Sequence, residues 1–102
     1  MITRLFAIAL FGLSGIASAC PIATITSADY PRESRNRGEE GTVSISYRIN
    51  PDGAVAAGSC SVIKSSGHPR LDQGTCQLIE TKFCFKPDTE PREGTQTIRW
   101  RR

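Results

Sequence analysis

The chain has a single histidine, and none of its cysteines stand at the C-x-x-C spacing. His68 sits beside Pro69 in a turn and lacks a convincing Cys or Ser partner, so no nucleophile–base pair is legible. Zinc would have to be gathered from His68 and the scattered Cys20, Cys60, Cys76 and Cys84, against the paired spacing of structural zinc sites. A strong charge of one sign is missing too. Thirteen basic and ten acidic residues leave a formal +3, which demands no nucleic-acid partner. The acids are dispersed. Asp52 belongs to a turn, Asp72 to a helix start, and Glu39-Glu40, Glu90 and Glu93 to charged loops, where solvated faces are commoner than acid/base pairs. With no catalytic set in view, the expected protein is not an enzyme and carries no metal or cofactor. Repeats, low-complexity segments and long linkers are also lacking. The longest apolar stretch, Leu5 to Ile16, falls short of the about 20 residues of a membrane-spanning helix.

That stretch has another meaning. Arg4 precedes it and Ala17-Ser18-Ala19 follows it, the basic, apolar and small-residue order of an export signal over 1–19. Retention as an uncleaved N-terminal anchor is the alternative. Cleavage after Ala19 leaves 83 residues, Cys20 to Arg102, and loss of Arg4 takes the formal charge from +3 to +2. A core of that size is only marginally sufficient, so covalent cross-links help. Four cysteines in an exported chain read as a disulfide framework, for which sequence alone allows three pairings.

The arm at 20–29 is small and polar, without periodicity, and is expected to be flexible. Pro31 to Arg37 is a short helical segment with Pro31 at its first position, closed by Gly38-Glu39-Glu40-Gly41. Thr42 to Asn50 alternates: Val43, Ile45, Tyr47 and Ile49 point one way, Thr42, Ser44, Ser46 and Arg48 the other. Period two predicts a half-buried strand. In the turn Asn50-Pro51-Asp52-Gly53, Pro presets φ and Gly accepts a left-handed conformation. Ala54 to Lys64 is expected as the return strand of a hairpin. Val55 and Cys60 differ in parity, which calls for a bulge near Gly58.

After the loop Ser65-Ser66-Gly67-His68, Pro69 opens a helix whose first turn holds Asp72, favourable to the helix dipole. Leu71, Thr75, Leu78, Ile79 and Phe83 share one helical face, with Cys76 at its margin. Gly74 costs about 1 kcal/mol relative to Ala inside a helix and signals close packing against the sheet. Phe83 and Phe85 lead into an extended exit before Pro87, and a charged loop runs from Pro87 to Gly94. Thr95 to Arg102 alternates as a last strand, Ile98 and Trp100 on one side and Arg99 and Arg101 on the other. The order helix, strand, strand, helix, strand predicts an α+β two-layer module. A three-stranded antiparallel sheet packs on one main helix, with a short N-terminal helix beside it.

The motifs also follow a specific order. Tyr30-Pro31 precedes Gly41-x-Val43-x-Ile45-x-Tyr47-x-Ile49 and Asp52-Gly53-x-Val55. Cys60-Ser61-Val62-Ile63-Lys64-Ser65-Ser66-Gly67 leads to Leu71-Asp72. Thr75-Cys76-Gln77-Leu78-Ile79 leads to Phe83-Cys84-Phe85-Lys86-Pro87. Each piece is weak alone, but their order and spacing over 30–102 resemble the C-terminal domain of TonB-like energy transducers, in a cysteine-containing branch. Two departures stand out. The second strand holds about two extra residues around Ala56 to Gly58, and Cys84 replaces a usual basic residue.

The resemblance implies a peptide-docking module that meets the periplasmic face of outer-membrane receptors and serves transmembrane transport. Such a domain pairs its last strand with an extended receptor segment. Backbone hydrogen bonds then supply affinity, and side-chain pockets supply selectivity. The matching positions here are Thr95, Gln96, Thr97, Ile98, Arg99, Trp100 and Arg101. Tyr30-Pro31 and Ser65-Ser66-Gly67 match family motifs with architectural roles. Cys60 and Cys76 would join the second strand to the helix by a disulfide.

Cys20 keeps two readings. One is a lipid anchor, for which Ala17-Ser18-Ala19-Cys20 is a poor box because its first position is usually Leu. The other is a bridge to Cys84. Membrane contact would come only through such a lipid or a retained N-terminus. Arg99-Trp100-Arg101-Arg102 combines basic residues with an aromatic, as nucleic-acid patches do. An exported protein rarely meets that ligand, and outward charges on an edge strand resist aggregation. TonB-like transducers carry a membrane helix and a long Pro-rich spacer. Here about ten residues separate Cys20 from Tyr30, a reach of about 35 Å when extended. The expectation is a stand-alone periplasmic binding module. The alternatives are a homodimer or other structural envelope role through the same edge, and a short membrane-retained transducer.

Overall fold

The structure, a computed structural model, describes residues 21–102; the predicted export signal and Cys20 lie outside the described residues. Strict alternation makes β1, Gly41–Ile49, bury Val43, Ile45, Tyr47 and Ile49 on one face, as period two requires. This strand is central. β3, Arg92–Trp100, runs antiparallel to it over nine paired positions, from Gly41 opposite Trp100 to Ile49 opposite Arg92. β2, Ser61–Lys64, pairs on the other side, so the sheet order is β2-β1-β3.

α2, Pro69–Lys82, lies on the apolar face and buries Leu71, Thr75 and Ile79 there. Phe83 leaves it in extended geometry, and its ring is buried as well. Val43, Ile45, Leu71 and Ile79 are fully buried, each worth about 1.5–3 kcal/mol over exposure. α1, Arg32–Asn36, follows Pro31, which is its N-cap rather than its first helical residue. The opposite sheet face is wet. Hydroxyls bridge its strands there, Ser44 Oγ to Thr97 Oγ1 at 3.0 Å and Ser46 Oγ to Ser61 Oγ at 3.2 Å. One dry and one solvated face suit a helix-on-sheet module, the expected α+β architecture.

Five local expectations change. The return strand is not continuous from Ala54 to Lys64. After the turn only one bridge to β1 forms among the described residues, Val55 to Ile49, while Ala54 bridges to Cys84 instead, and β2 proper begins at Ser61. The residues between form a loop held by α2, because the Glu80 carboxylate accepts the N–H groups of Gly58 and Cys60, both at 3.0 Å. The ladder irregularity therefore falls elsewhere. Ile45 pairs with Val62 but Ser44 with Lys64, leaving Ile63 as the extra residue. Gly74 faces α1 rather than the sheet: a Cβ there would meet the Pro31 ring at 2.8 Å. β3 starts at Arg92, not Thr95, and ends at Trp100, since pairing with all of β1 draws the charged loop's end into the sheet. Finally, Asp72 does more than face the helix dipole. It collects the Ser65-Ser66 loop, accepting from Ser65 Oγ at 2.5 Å, Ser66 N–H at 2.9 Å and Ser66 Oγ at 2.7 Å.

Candidate functional site

β3 occupies a sheet border. β1 takes the hydrogen-bonding groups of alternate β3 residues, and the remaining residues turn theirs away from the sheet. No strand among the described residues pairs with that outer side. A strand edge with free N–H and C=O groups is a template for another chain.

The border is held firmly from beneath. Trp100 is buried, and its indole Nε1–H donates to Thr75 Oγ1 at 2.9 Å. Thr75 also donates to the Leu71 carbonyl at 2.7 Å. Tyr30 stacks obliquely on Trp100, ring centroids 5.1 Å apart, and its hydroxyl donates to the Glu39 carbonyl. Arg35 lies over the other aromatic partner, 5.4 Å from the Tyr30 ring centre. The Tyr30-Pro31 motif thus packs one ring on the last strand and the next on Gly74 of α2.

The N-terminal arm flanks the same border. Ile22 exchanges two backbone hydrogen bonds with Cys84, at 2.8 and 2.9 Å. Thr26 and Asp29 form a capping box around the short turn Ser27–Asp29. Lys82 Nζ donates to Asp29 at 2.5 Å, and this contact holds the Asp29 carboxyl below the usual range. Between arm and strand is a cavity of about 560 Å³, lined by 23–27, Tyr30 and 96–101. No backbone hydrogen bond joins the arm to β3 among the described residues.

Of the residues expected at the docking edge, Thr95 to Trp100 lie within β3, and Arg101 follows it. Ile98 and Trp100 face the core, whereas Thr95, Thr97 and Arg99 are exposed. Arg99 and Arg101 form no ion pair among the described residues. Cys60 and Cys76 form a disulfide, S–S 2.03 Å, tying the start of β2 to α2. It removes two sulfurs that zinc would have needed. Cys84 is not a free thiol; both readings of Cys20 lie outside the described residues. His68 supplies the N-cap backbone of α2 with no side-chain cap.

The model of the family described as Gram-negative bacterial TonB protein C-terminal matches residues 26–101. The chain belongs to the TonB C-terminal family. Solved TonB domains agree. The solution structure of the Helicobacter pylori TonB C-terminal domain, residues 179–285, is 28% identical with a TM-score of 0.58, covering 72% of this chain and 67% of that one. A shorter form of the same domain, residues 194–285, is 29% identical with a TM-score of 0.54, covering 70% and 76%. The Pseudomonas aeruginosa TonB C-terminal domain, 24% identical, shares the fold with a TM-score of 0.58 over 72% and 76%. No curated protein matches the chain.

Sequence reasoning missed that the arm lies beside this border of the TonB-family domain. Ala23 and Ile25 pack against the core while Thr24 and Thr26 are exposed, an alternation too short to stand out as a pattern. It also missed Thr75 as the Trp100 acceptor and Glu80 as the holder of the 56–60 loop. Those partners are 25 and about 20 residues apart in sequence, beyond any local signal.

Proposed function

We propose that this TonB-family chain is a non-catalytic binding module of the periplasm. It accepts an extended segment of a partner, such as a TonB-dependent outer-membrane receptor, alongside β3, and so takes part in transmembrane transport. The observation that carries this reading is the unpaired outer side of a nine-residue strand. Pairing there is β-strand addition, in which main-chain bonds contribute about 0.5–1.5 kcal/mol each. Four or five outward-facing residues, each with one donor and one acceptor, are available along such a strand. The Cys60–Cys76 disulfide fits an oxidising compartment, and the Arg4 to Ala19 signal pattern fits export to it.

Two proline variants test the reading. Alternate residues of an edge strand send their N–H inward and outward. One of Gln96→Pro and Thr97→Pro therefore breaks the ladder to β1, and the other removes only an outward donor. The probe is a panel of synthetic heptapeptides copied from receptor plug segments, read by fluorescence anisotropy. The variant that keeps its fold by circular dichroism is expected to bind at least tenfold more weakly. Wild-type affinity in that variant, or light scattering that finds a stable dimer burying β3, would overturn it.

A further inference from the structure

The arm is more firmly held than a tether needs to be. It is stitched to Cys84 through Ile22 at one end and to Lys82 through Asp29 at the other. In the middle Ala23 and Ile25 pack against the core. Ordering a residue's backbone costs conformational entropy, and here that cost falls on folding rather than on binding. The wall facing β3 is therefore present before any ligand arrives.

The space between the two walls is a groove open to solvent, and its size suits a short extended segment. One residue in a sheet takes roughly 160 Å³, given a strand spacing of about 4.8 Å, a thickness of about 10 Å and a rise of about 3.4 Å. A cavity of 560 Å³ thus holds about three to four residues of extended chain. Its volume lies within the range of ligand pockets. The floor is Tyr30, Ile98 and Trp100, already 6%, 7% and 3% exposed. A filled core offers no room beneath it, so side chains that point inward from the occupant must be small.

We propose that Ala23 to Ser27 form a second, preformed wall of the β3 site. The partner's strand is enclosed on both sides over three to four residues, and small apolar side chains are selected at its inward positions. This rests on the β3 reading above and adds to it a wall outside the sheet, while the floor of Tyr30, Ile98 and Trp100 sets the size limit.

Photo-crosslinking separates the two ideas. The full chain carries p-benzoylphenylalanine at Thr24, at Thr97, or at Thr81 in the distant α1–α2 groove. The probes are the heptapeptide panel and a tryptophan scan of its tightest member. Capture is expected from Thr24 and Thr97 but not Thr81. Tryptophan is expected to weaken binding at least tenfold at every second position across three to four residues. Capture from Thr97 alone overturns the second wall and leaves the β3 reading standing. Capture from Thr24 alone, or no binding by any peptide, overturns both. A tryptophan scan without the alternating loss overturns the size selection, and crosslinking within the chain that peptide does not displace shows the groove filled by its own residues.

Discussion

Replacing Thr75 with Val removes the acceptor of the Trp100 indole while keeping side-chain shape. Both groups are buried, and the bond is 2.9 Å long. A buried donor left without an acceptor costs about 1–3 kcal/mol, so Thr75→Val is expected to lose about 2 kcal/mol. For a domain of this size each kcal/mol moves the melting midpoint by about 4–8 °C, which places the shift near 10 °C. The lost hydrogen bond to Leu71 O adds little, since that carbonyl keeps its helical partner. The magnitude can be isolated with Trp100→Phe, which deletes the N–H. In the double variant neither polar group remains unsatisfied, so the two losses should fall short of additivity by about 1 kcal/mol. Urea unfolding followed by far-ultraviolet circular dichroism measures all four corners of the cycle. Trp100 is the only tryptophan, so its fluorescence reports this locus directly in the Thr75 variant. A Thr75→Val loss below about 0.5 kcal/mol, or an additive cycle, would refute the claim that this bond anchors β3.

Three further outcomes follow from the packing. Replacing Cys60 and Cys76 together by Ala opens a link of sequence separation 16 and is expected to lower stability by about 3 kcal/mol through the unfolded chain; a urea-derived loss under about 1 kcal/mol would contradict it. Gly74→Ala, a gain of about 1 kcal/mol in an open helix, should instead destabilise, because its Cβ would meet the Pro31 ring at 2.8 Å; a raised melting midpoint would show that α1 yields freely. Asp72 sets an acid limit. Burial pushes its carboxyl up, but the hydroxyls of Ser65 and Ser66, the Ser66 N–H and nearby His68 together hold it below 3.8. A depressed folded pKa means its contribution is complete above about pH 5 and drains away as pH falls through 3.8 toward the folded value. Urea midpoints between pH 5 and pH 2.5 should therefore fall less steeply in Asp72→Asn, and parallel curves would contradict the assignment.

The elements that could be read in advance are those whose signal is local. β1 is written in Val43, Ile45, Tyr47 and Ile49, and α2 in Pro69, Leu71, Thr75 and Ile79, because burying one face imposes period two or 3.6 on nearby residues. The return strand departs from expectation for the opposite reason. Residues 56–60 have strand-compatible chemistry, yet Glu80 on α2 takes the Gly58 and Cys60 N–H groups, a competitor invisible from within the segment. Gly74 likewise announced close packing, but not that its neighbour would be Pro31.

The α+β class, the length of the apolar face and the motif order that marks the family can all be read along the chain. Each of these needs only spacing along the chain. Tertiary structure alone decided that 23–27 stand opposite β3 across a cavity and that Thr75 meets Trp100. It also decided which acids are spent on loops. Those are meetings between residues far apart in sequence, and the physical reason is plain: they depend on where the whole core places two surfaces, a quantity that no local repeat encodes.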